Sequence, residues 1–120
     1  MMKVSKEYLI VIASSSSVFL IDLLSKNKII SIFKDGVIEK IYVNDYLDFI
    51  LVFNTGISYG LFSGGGDFQK WILISLSILI IIFLLSFIRN ESSILSKLSI
   101  SFIIGGALGN VLDRFTYGAV

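Results

Sequence analysis

The 120-residue sequence contains no histidine, no cysteine and no proline. These absences exclude Ser-His-Asp and Cys-His nucleophile systems, zinc and haem sites that depend on His or Cys, and disulfide bonds. We therefore expect no metal ion and no cofactor, and any chemistry must come from carboxylates, Lys, Arg, Asn, Ser or Tyr. Ten Lys and Arg against nine Asp and Glu give a net charge of +1. This balance does not provide the basic field that nucleic-acid binding requires, so we expect no nucleic-acid partner.

Hydrophobic residues are abundant: they form 55% of the chain, and the mean hydropathy is +0.89. Residues 71–88 carry no charge, and eighteen such residues are enough to cross a bilayer. Residues 8–24 carry only Asp22 and predict a first span, although a cleaved signal peptide is the alternative interpretation. Residues 94–112 predict a third span, because Lys97 near its start can snorkel to the membrane surface.

The segment between the first two spans, residues 26–70, is too polar to insert and too rich in Ile, Val, Tyr and Phe to be disordered. Within it, Ile29–Phe33 and Val37–Val43 flank Asp-Gly, the strongest short hairpin signal, and Tyr46–Phe53 predicts a further strand. We therefore predict one integral membrane domain over residues 1–120. It is mainly α-helical, with three transmembrane helices and a small β-rich extramembrane cradle.

Two groups of polar residues lie at the ends of predicted spans. Asp22, Ser25 and Lys26 share one helical face, where Asp22 and Lys26 form either part of a site or an ion pair that ends the span. In the third span, one helical stripe carries the four residues Gly106, Gly109, Asn110 and Asp113, with Arg114 at its edge.

Helix packing is the alternative interpretation of this stripe. Gly105-x-x-x-Gly109 is a small-residue contact pattern, and Asn110 could bond across helices. Packing explains the glycines, whereas Asn, Asp and Arg within one turn favour a polar site. Asn54-Thr55-Gly56 is a weaker signal, since Asn and Gly are ordinary turn formers. From these residues alone, we hypothesise that Asp22 and Asp113 share a proton as aspartic protease dyads do.

Three motifs occur in the order and spacing of one known family: Asp22-x-x-Ser25-Lys26, then Asn54-Thr55-Gly56 followed by Gly60, and then Gly105-Gly106-Ala107-Leu108-Gly109-Asn110-Val111-Leu112-Asp113-Arg114 followed by Gly118. The chain from about Asp22 to its end resembles the bacterial lipoprotein signal peptidases, the signal peptidase II family, and the third motif is the most specific. The resemblance implies a four-span inner-membrane aspartic endopeptidase with cytoplasmic termini and a β-rich cradle on the outer face. Its substrates are diacylglyceryl-modified prolipoproteins in the lipid bilayer, cut just before the modified cysteine.

The resemblance also implies roles for individual residues. Substrate-positioning or supporting roles fall to Asp22, Lys26, Asn54, Gly56, Asn110, Asp113 and Arg114. The family's catalytic aspartates belong to a Val/Ile-Asp-Phe element and an Asn-x-Ala-Asp motif, both after the positions that match Arg114 to Val120. We therefore expect a C-terminally truncated form without the catalytic pair, and the Asp22 and Asp113 hypothesis gives way to supporting roles. Tyr59 departs from the family, which commonly has Phe there.

A second hypothesis comes from a different class of protein. The chain could be a non-enzymatic small membrane protein, whose intramembrane polar stripe serves helix association or solute passage.

Overall fold

A computed structural model describes residues 6–57 and 61–120. In these residues the chain forms three long helices, a one-turn 3-10 helix and two strands: α1 (Lys6–Ile32), the 3-10 turn (Lys34–Gly36), β1 (Lys40–Asn44), β2 (Leu47–Ile50), α2 (Gly66–Ile88) and α3 (Ile94–Tyr117). The three long helices are each long and apolar enough to cross a membrane. The predicted fold class, mainly helical with three spans and a small sheet, is confirmed.

The first helix is longer than predicted, and this corrects the predicted position of the hairpin. Ile29–Phe33 does not form a strand, because α1 continues to Ile32 and the Phe33 N–H donates to the Ile29 carbonyl at 3.1 Å. Phe33 is buried, so tertiary packing overrides the strand preference of the isoleucines. Asp35 and Gly36 do adopt positive φ angles of 54° and 92°, but they end the helical segment instead of joining two strands.

The hairpin lies further along the chain. Strands β1 and β2 pair antiparallel, with Lys40 opposite Ile50. Between them, the Asn44 side-chain oxygen accepts the Tyr46 N–H at 2.9 Å, which is the side-chain bond that stabilises an Asx turn. Of the predicted strand Tyr46–Phe53, the part Leu47–Ile50 forms β2.

Helix α3 packs against both α1 and α2, and its contact with α1 is the more extensive. Their apolar core consists of Val11, Ile81, Ile88, Ile100 and Ile104. Many other large apolar side chains on the helices are exposed within the chain, as expected where lipid is the solvent.

Two ion pairs show that α1 and α3 run parallel. Lys97 of α3 bonds Glu7 of α1 at 2.5 Å near the beginning of both helices. Lys26 of α1 bonds Asp113 of α3 at 2.6 Å near the end of both. The second pair therefore lies at the same end of the bundle as the hairpin and the loop that leads into α2.

Candidate functional site

Lys26 is the centre of a polar cluster that joins α1 to α3. Its Nζ donates to Asp22 Oδ2 at 2.7 Å, to Asp113 Oδ2 at 2.6 Å and to Asn110 Oδ1 at 3.2 Å. The helical spacing places Asp22 and Lys26 on one face of α1, and Asn110 and Asp113 on one face of α3. The structure thus brings together the two groups of polar residues that the sequence singles out. The alternative interpretation, an isolated Asp22–Lys26 ion pair that ends the first span, does not hold, because the Lys26 ammonium also binds Asn110 and Asp113 of α3.

The charges of this cluster are partly shielded from solvent. The Asp113 side chain is 8% exposed, whereas those of Lys26 and Asp22 are 28% and 25% exposed. Ionised side chains at such positions are stable only when paired, and one ammonium here serves two carboxylates. Within residues 6–57 and 61–120, no hydrogen bond joins Asp22 to Asp113; each carboxylate accepts from Lys26. The two aspartates are therefore linked through a cation and not through a shared proton.

Two glycines of α3 allow the close approach of α1. A Cβ atom at Gly105 would lie 2.5 Å from the Ser15 carbonyl oxygen, and one at Gly109 would overlap the Asp22 carboxylate. By contrast, a Cβ at Gly106 would meet no atom within 4 Å. Helix packing therefore accounts for Gly105 and Gly109. Gly106, although on the predicted stripe, does not line the contact.

Arg114 connects α3 to the loop after β2. Its guanidinium Nη2 donates to the Gly56 carbonyl at 3.0 Å, and the residue is buried, with 7% of its surface exposed. Its Nε is buried without a hydrogen-bond partner in the described part of the chain. Among the residues that the structure describes, Arg114 donates to the loop and not to the Lys26 cluster.

Asn54 organises the turn that Arg114 holds. Its side-chain oxygen accepts the Gly56 N–H at 2.9 Å, and its amide donates to the Ile57 carbonyl at 2.5 Å. Its backbone also exchanges two hydrogen bonds with Val120, at 2.8 and 2.9 Å. Both ends of the Asn54 amide are therefore occupied within the turn, as the turn interpretation predicts. Ser58, Tyr59 and Gly60, the middle of this motif, lie outside the described residues.

A groove of about 200 Å³ opens beside the polar cluster. Lys26 and Asp113 form its charged part, and its other lining residues are Ile29, Ile30, Leu51, Val52, Phe53, Tyr117, Ala119 and Val120. The sequence reasoning missed this lining. Two of its residues could have been found by predicting that the first helix continues beyond Lys26. Ile29 and Ile30 follow Lys26 by three and four residues, so on a continuous helix they lie on the same face as Lys26.

The family model for signal peptidase (SPase) II matches residues 14–120, which include every polar residue of the cluster and of the turn. The chain belongs to the signal peptidase II family. A lipoprotein signal peptidase of Methylorubrum extorquens is 43% identical over 75 residues, covering 62% of this chain and 44% of that protein. One of Nitrobacter hamburgensis is 32% identical over 109 residues, covering 91% and 66%. One of Burkholderia multivorans is 38% identical over 106 residues, covering 86% and 61%.

The chain thus spans roughly half to two thirds of the length of these signal peptidase II relatives. No solved structure matches it. Membership of the signal peptidase II family, together with three helices of spanning length, fits a multi-pass bacterial membrane protein.

Proposed function

We propose that this chain supplies the substrate-binding and supporting part of a lipoprotein signal peptidase. In this proposal, the enzyme removes signal peptides from diacylglyceryl-modified prolipoproteins by aspartic endopeptidase cleavage before the modified cysteine. The observation that carries the proposal is the Lys26 cluster, which opens directly into an apolar groove. Family membership and the relatives' printed name, lipoprotein signal peptidase, support it.

The groove suits an apolar peptide segment. Its walls come from α1, from residues 51–53 after β2 and from the end of α3 with the residues that follow it, and most of the lining side chains are apolar. Pockets of this kind bind a ligand through apolar contact and orient it with a few polar groups. Here the polar groups are the Lys26 ammonium and the Asp113 carboxylate. Apolar side chains of a signal peptide would fill the groove, and its backbone amides would meet these charges.

We assign positioning roles to the residues of the cluster and of the turn. Lys26, with Asp22, Asn110 and Asp113, fixes α1 against α3 and so sets one wall of the groove. Arg114, Asn54 and Gly56 fix the loop that continues from the opposite wall. None of these residues receives a catalytic role, because the family resemblance assigns the catalytic aspartates to two motifs that match no position among residues 1–120.

The chemistry that we propose for the whole enzyme needs no metal ion. One aspartate accepts a proton from water as the water oxygen attacks the scissile carbonyl carbon, while the protonated second aspartate donates a hydrogen bond to the carbonyl oxygen. The C–N bond then breaks, and the leaving nitrogen takes up the proton that the first aspartate accepted from water. The walls and charged end of the groove would hold the scissile peptide still during these steps.

We further propose that the protein lies in the bacterial inner membrane with its N-terminus in the cytoplasm. Because α1 and α3 run parallel, this orientation places the polar cluster, the hairpin and the groove at the outer side. The groove then faces the side on which the resemblance places the cradle.

A photo-crosslinking experiment tests the groove. A photoreactive residue replaces Val52, which lines the groove, or Leu79 of α2 as a control; the two are 67% and 63% exposed. The probe is a labelled prolipoprotein segment with a diacylglyceryl cysteine, and a second probe has the unmodified cysteine. We expect the modified probe to label position 52 and to be displaced by unlabelled modified segment, with no displaceable labelling at position 79. Equal, non-displaceable labelling at both positions would overturn the proposal.

A further inference from the structure

A second cavity, of about 590 Å³, is separate from the Lys26 cluster and shares only Tyr117 with the lining of the groove. It is formed where the loop into α2 meets the end of α3, and its lining includes Asp67, Lys70, Thr55 and Tyr117. Asp67 and Lys70 are three residues apart on α2 and so project to the same side of the helix. The cavity therefore presents one anion, one cation and the hydroxyl groups of Thr55, Thr116 and Tyr117, and the proposed function uses neither of the two charges.

The two charges of this cavity are not paired with each other. In the described ranges 6–57 and 61–120, the ion pairs involve Lys26, Lys40 and Lys97, and neither Asp67 nor Lys70 belongs to one. The Lys70 ammonium lies 5.6 Å from the centre of the Trp71 ring, a cation–π contact that leaves its hydrogen-bond donors available. An unpaired carboxylate and an unpaired ammonium in one cavity are complementary to a ligand that carries both a positive and a negative group.

The depth of the cavity in the membrane identifies the source of such a ligand. The charge-free run of α2 begins at Trp71, directly after Lys70, so this pair of residues marks the boundary between hydrocarbon and headgroups. Trp71 packs edge-on against Phe115 at 5.4 Å, and Tyr117 packs against Phe53 at 5.9 Å. Trp and Tyr are the residues that occupy the interface of a bilayer. The cavity therefore lies at headgroup depth.

We propose that this cavity binds the headgroup of a phospholipid that carries both a phosphate and a primary amine. The phosphate accepts hydrogen bonds from Lys70, and the ammonium group donates to Asp67. A headgroup with a trimethylated amine cannot donate these hydrogen bonds, and an anionic headgroup without an amine leaves Asp67 unpaired against a negative charge.

Trp71 provides the measurement, because it is the one tryptophan of the chain. The full chain is placed in phosphatidylcholine nanodiscs, and quenching of Trp71 fluorescence is followed as phosphatidylethanolamine, phosphatidylglycerol or phosphatidylcholine with brominated acyl chains is added. We expect phosphatidylethanolamine to bind about three- to tenfold more tightly than the other two lipids, as one additional charge-assisted hydrogen bond would give. Equal quenching by the three lipids would overturn the proposal.

Neutral substitutions of similar size distinguish the contributions of Asp67 and Lys70 to lipid binding. Asp67→Asn should remove the preference for phosphatidylethanolamine over phosphatidylcholine, and Lys70→Gln should weaken binding of all three lipids. The matched controls are Lys34→Gln and Asp35→Asn, an exposed pair of opposite charges outside the cavity. They should change nothing, and an effect as large as that of the cavity variants would contradict the proposal.

Inorganic phosphate distinguishes a lipid from a free anion. At a large excess it should leave the quenching by brominated phosphatidylethanolamine unchanged, because it lacks the amine and the acyl chains. If it displaced the lipid, the cavity would be a site for free anions and the proposal would fail. All of these outcomes are independent of peptidase activity, so they test the cavity without testing the proposed function.

Discussion

Lys26 and Asp113 lie 87 positions apart in the chain, yet their side chains form a 2.6 Å ion pair between two membrane-spanning helices. The same ammonium binds Asp22 and Asn110. With the adjacent Arg114, the formal charges of Lys26, Asp22 and Asp113 sum to zero. Burying charged groups inside a membrane costs free energy. Pairing of opposite charges lowers this cost and so allows these four residues to lie at the end of the bundle.

The first prediction concerns the cation of this cluster. Lys26→Met should lower the free energy of unfolding by roughly 2–4 kcal/mol, because the Asp113 carboxylate, which is only 8% exposed, would lose the cation that pairs with it. Thermal unfolding in detergent, followed by circular dichroism, measures the change. The control is Lys40→Met, which breaks the more exposed pair with Asp48 and should cost no more than about 0.5 kcal/mol. Equal losses in the two variants would contradict a special role for Lys26.

The second prediction uses two glycines that are three residues apart on α3. Gly109→Ala should destabilise the protein by about 1–3 kcal/mol, because the added methyl group would overlap the Asp22 carboxylate and displace it from its ion pair with Lys26. Gly106→Ala should be neutral or stabilising by up to about 1 kcal/mol, since its methyl group would enter open space and alanine favours the helix. Unfolding of both variants in the same detergent provides the comparison. A greater loss for Gly106→Ala would show that α1 and α3 do not approach as described.

The membrane spans and the polar faces of the helices could be predicted because each depends only on residues that are close together in the sequence. The charge-free run of residues 71–88 specifies a membrane helix, and a spacing of three or four residues places Asn110 and Asp113 on one side of α3. The meeting of Lys26 with Asp113 could not be derived in this way, because helical periodicity does not say which faces of two helices meet. The misplaced hairpin has a similar cause: the strand preference of Ile29 and Ile30 is local, whereas the burial of Phe33 that favours the helix is tertiary.

The third prediction concerns the turn at Asn54. Arg114→Gln should increase amide hydrogen exchange at Gly56 and Ile57, because the bond from Arg114 to the Gly56 carbonyl is lost while the helices persist. Hydrogen exchange with mass spectrometry measures the change peptide by peptide. The control is Arg89→Gln at the end of α2, which should leave the turn unchanged. If exchange rose along the whole of α3 instead, Arg114 would stabilise the helix bundle and not the turn.

The fourth prediction concerns the hairpin, outside the membrane spans. The Tyr42 hydroxyl donates to Asp45 at 2.5 Å, and this hydrogen bond raises the pKa of Tyr42 above its ordinary value of 10.0. Its stabilising effect is therefore complete below that ordinary value and is lost as the pH rises through the pKa of the folded protein. NMR titration of the tyrosine rings should show that Asp45→Ala lowers the Tyr42 pKa. An unchanged Tyr42 pKa in the variant would refute the assignment.

The last prediction separates binding from cleavage. If the groove binds substrate and the catalytic aspartates lie in motifs that match no position among residues 1–120, the purified 120-residue polypeptide should bind a diacylglyceryl-modified prolipoprotein without cutting it. Mass spectrometry of the substrate after incubation measures cleavage, and the lipoprotein signal peptidase of Nitrobacter hamburgensis serves as the positive control. Asn110→Ala should weaken binding, because it removes the amide that bonds Lys26 and loosens the charged end of the groove. Release of signal peptide by the 120-residue polypeptide, with contaminating enzyme excluded, would show that some of its own carboxylates are catalytic, and Asp22 and Asp113 would then be the first pair to substitute.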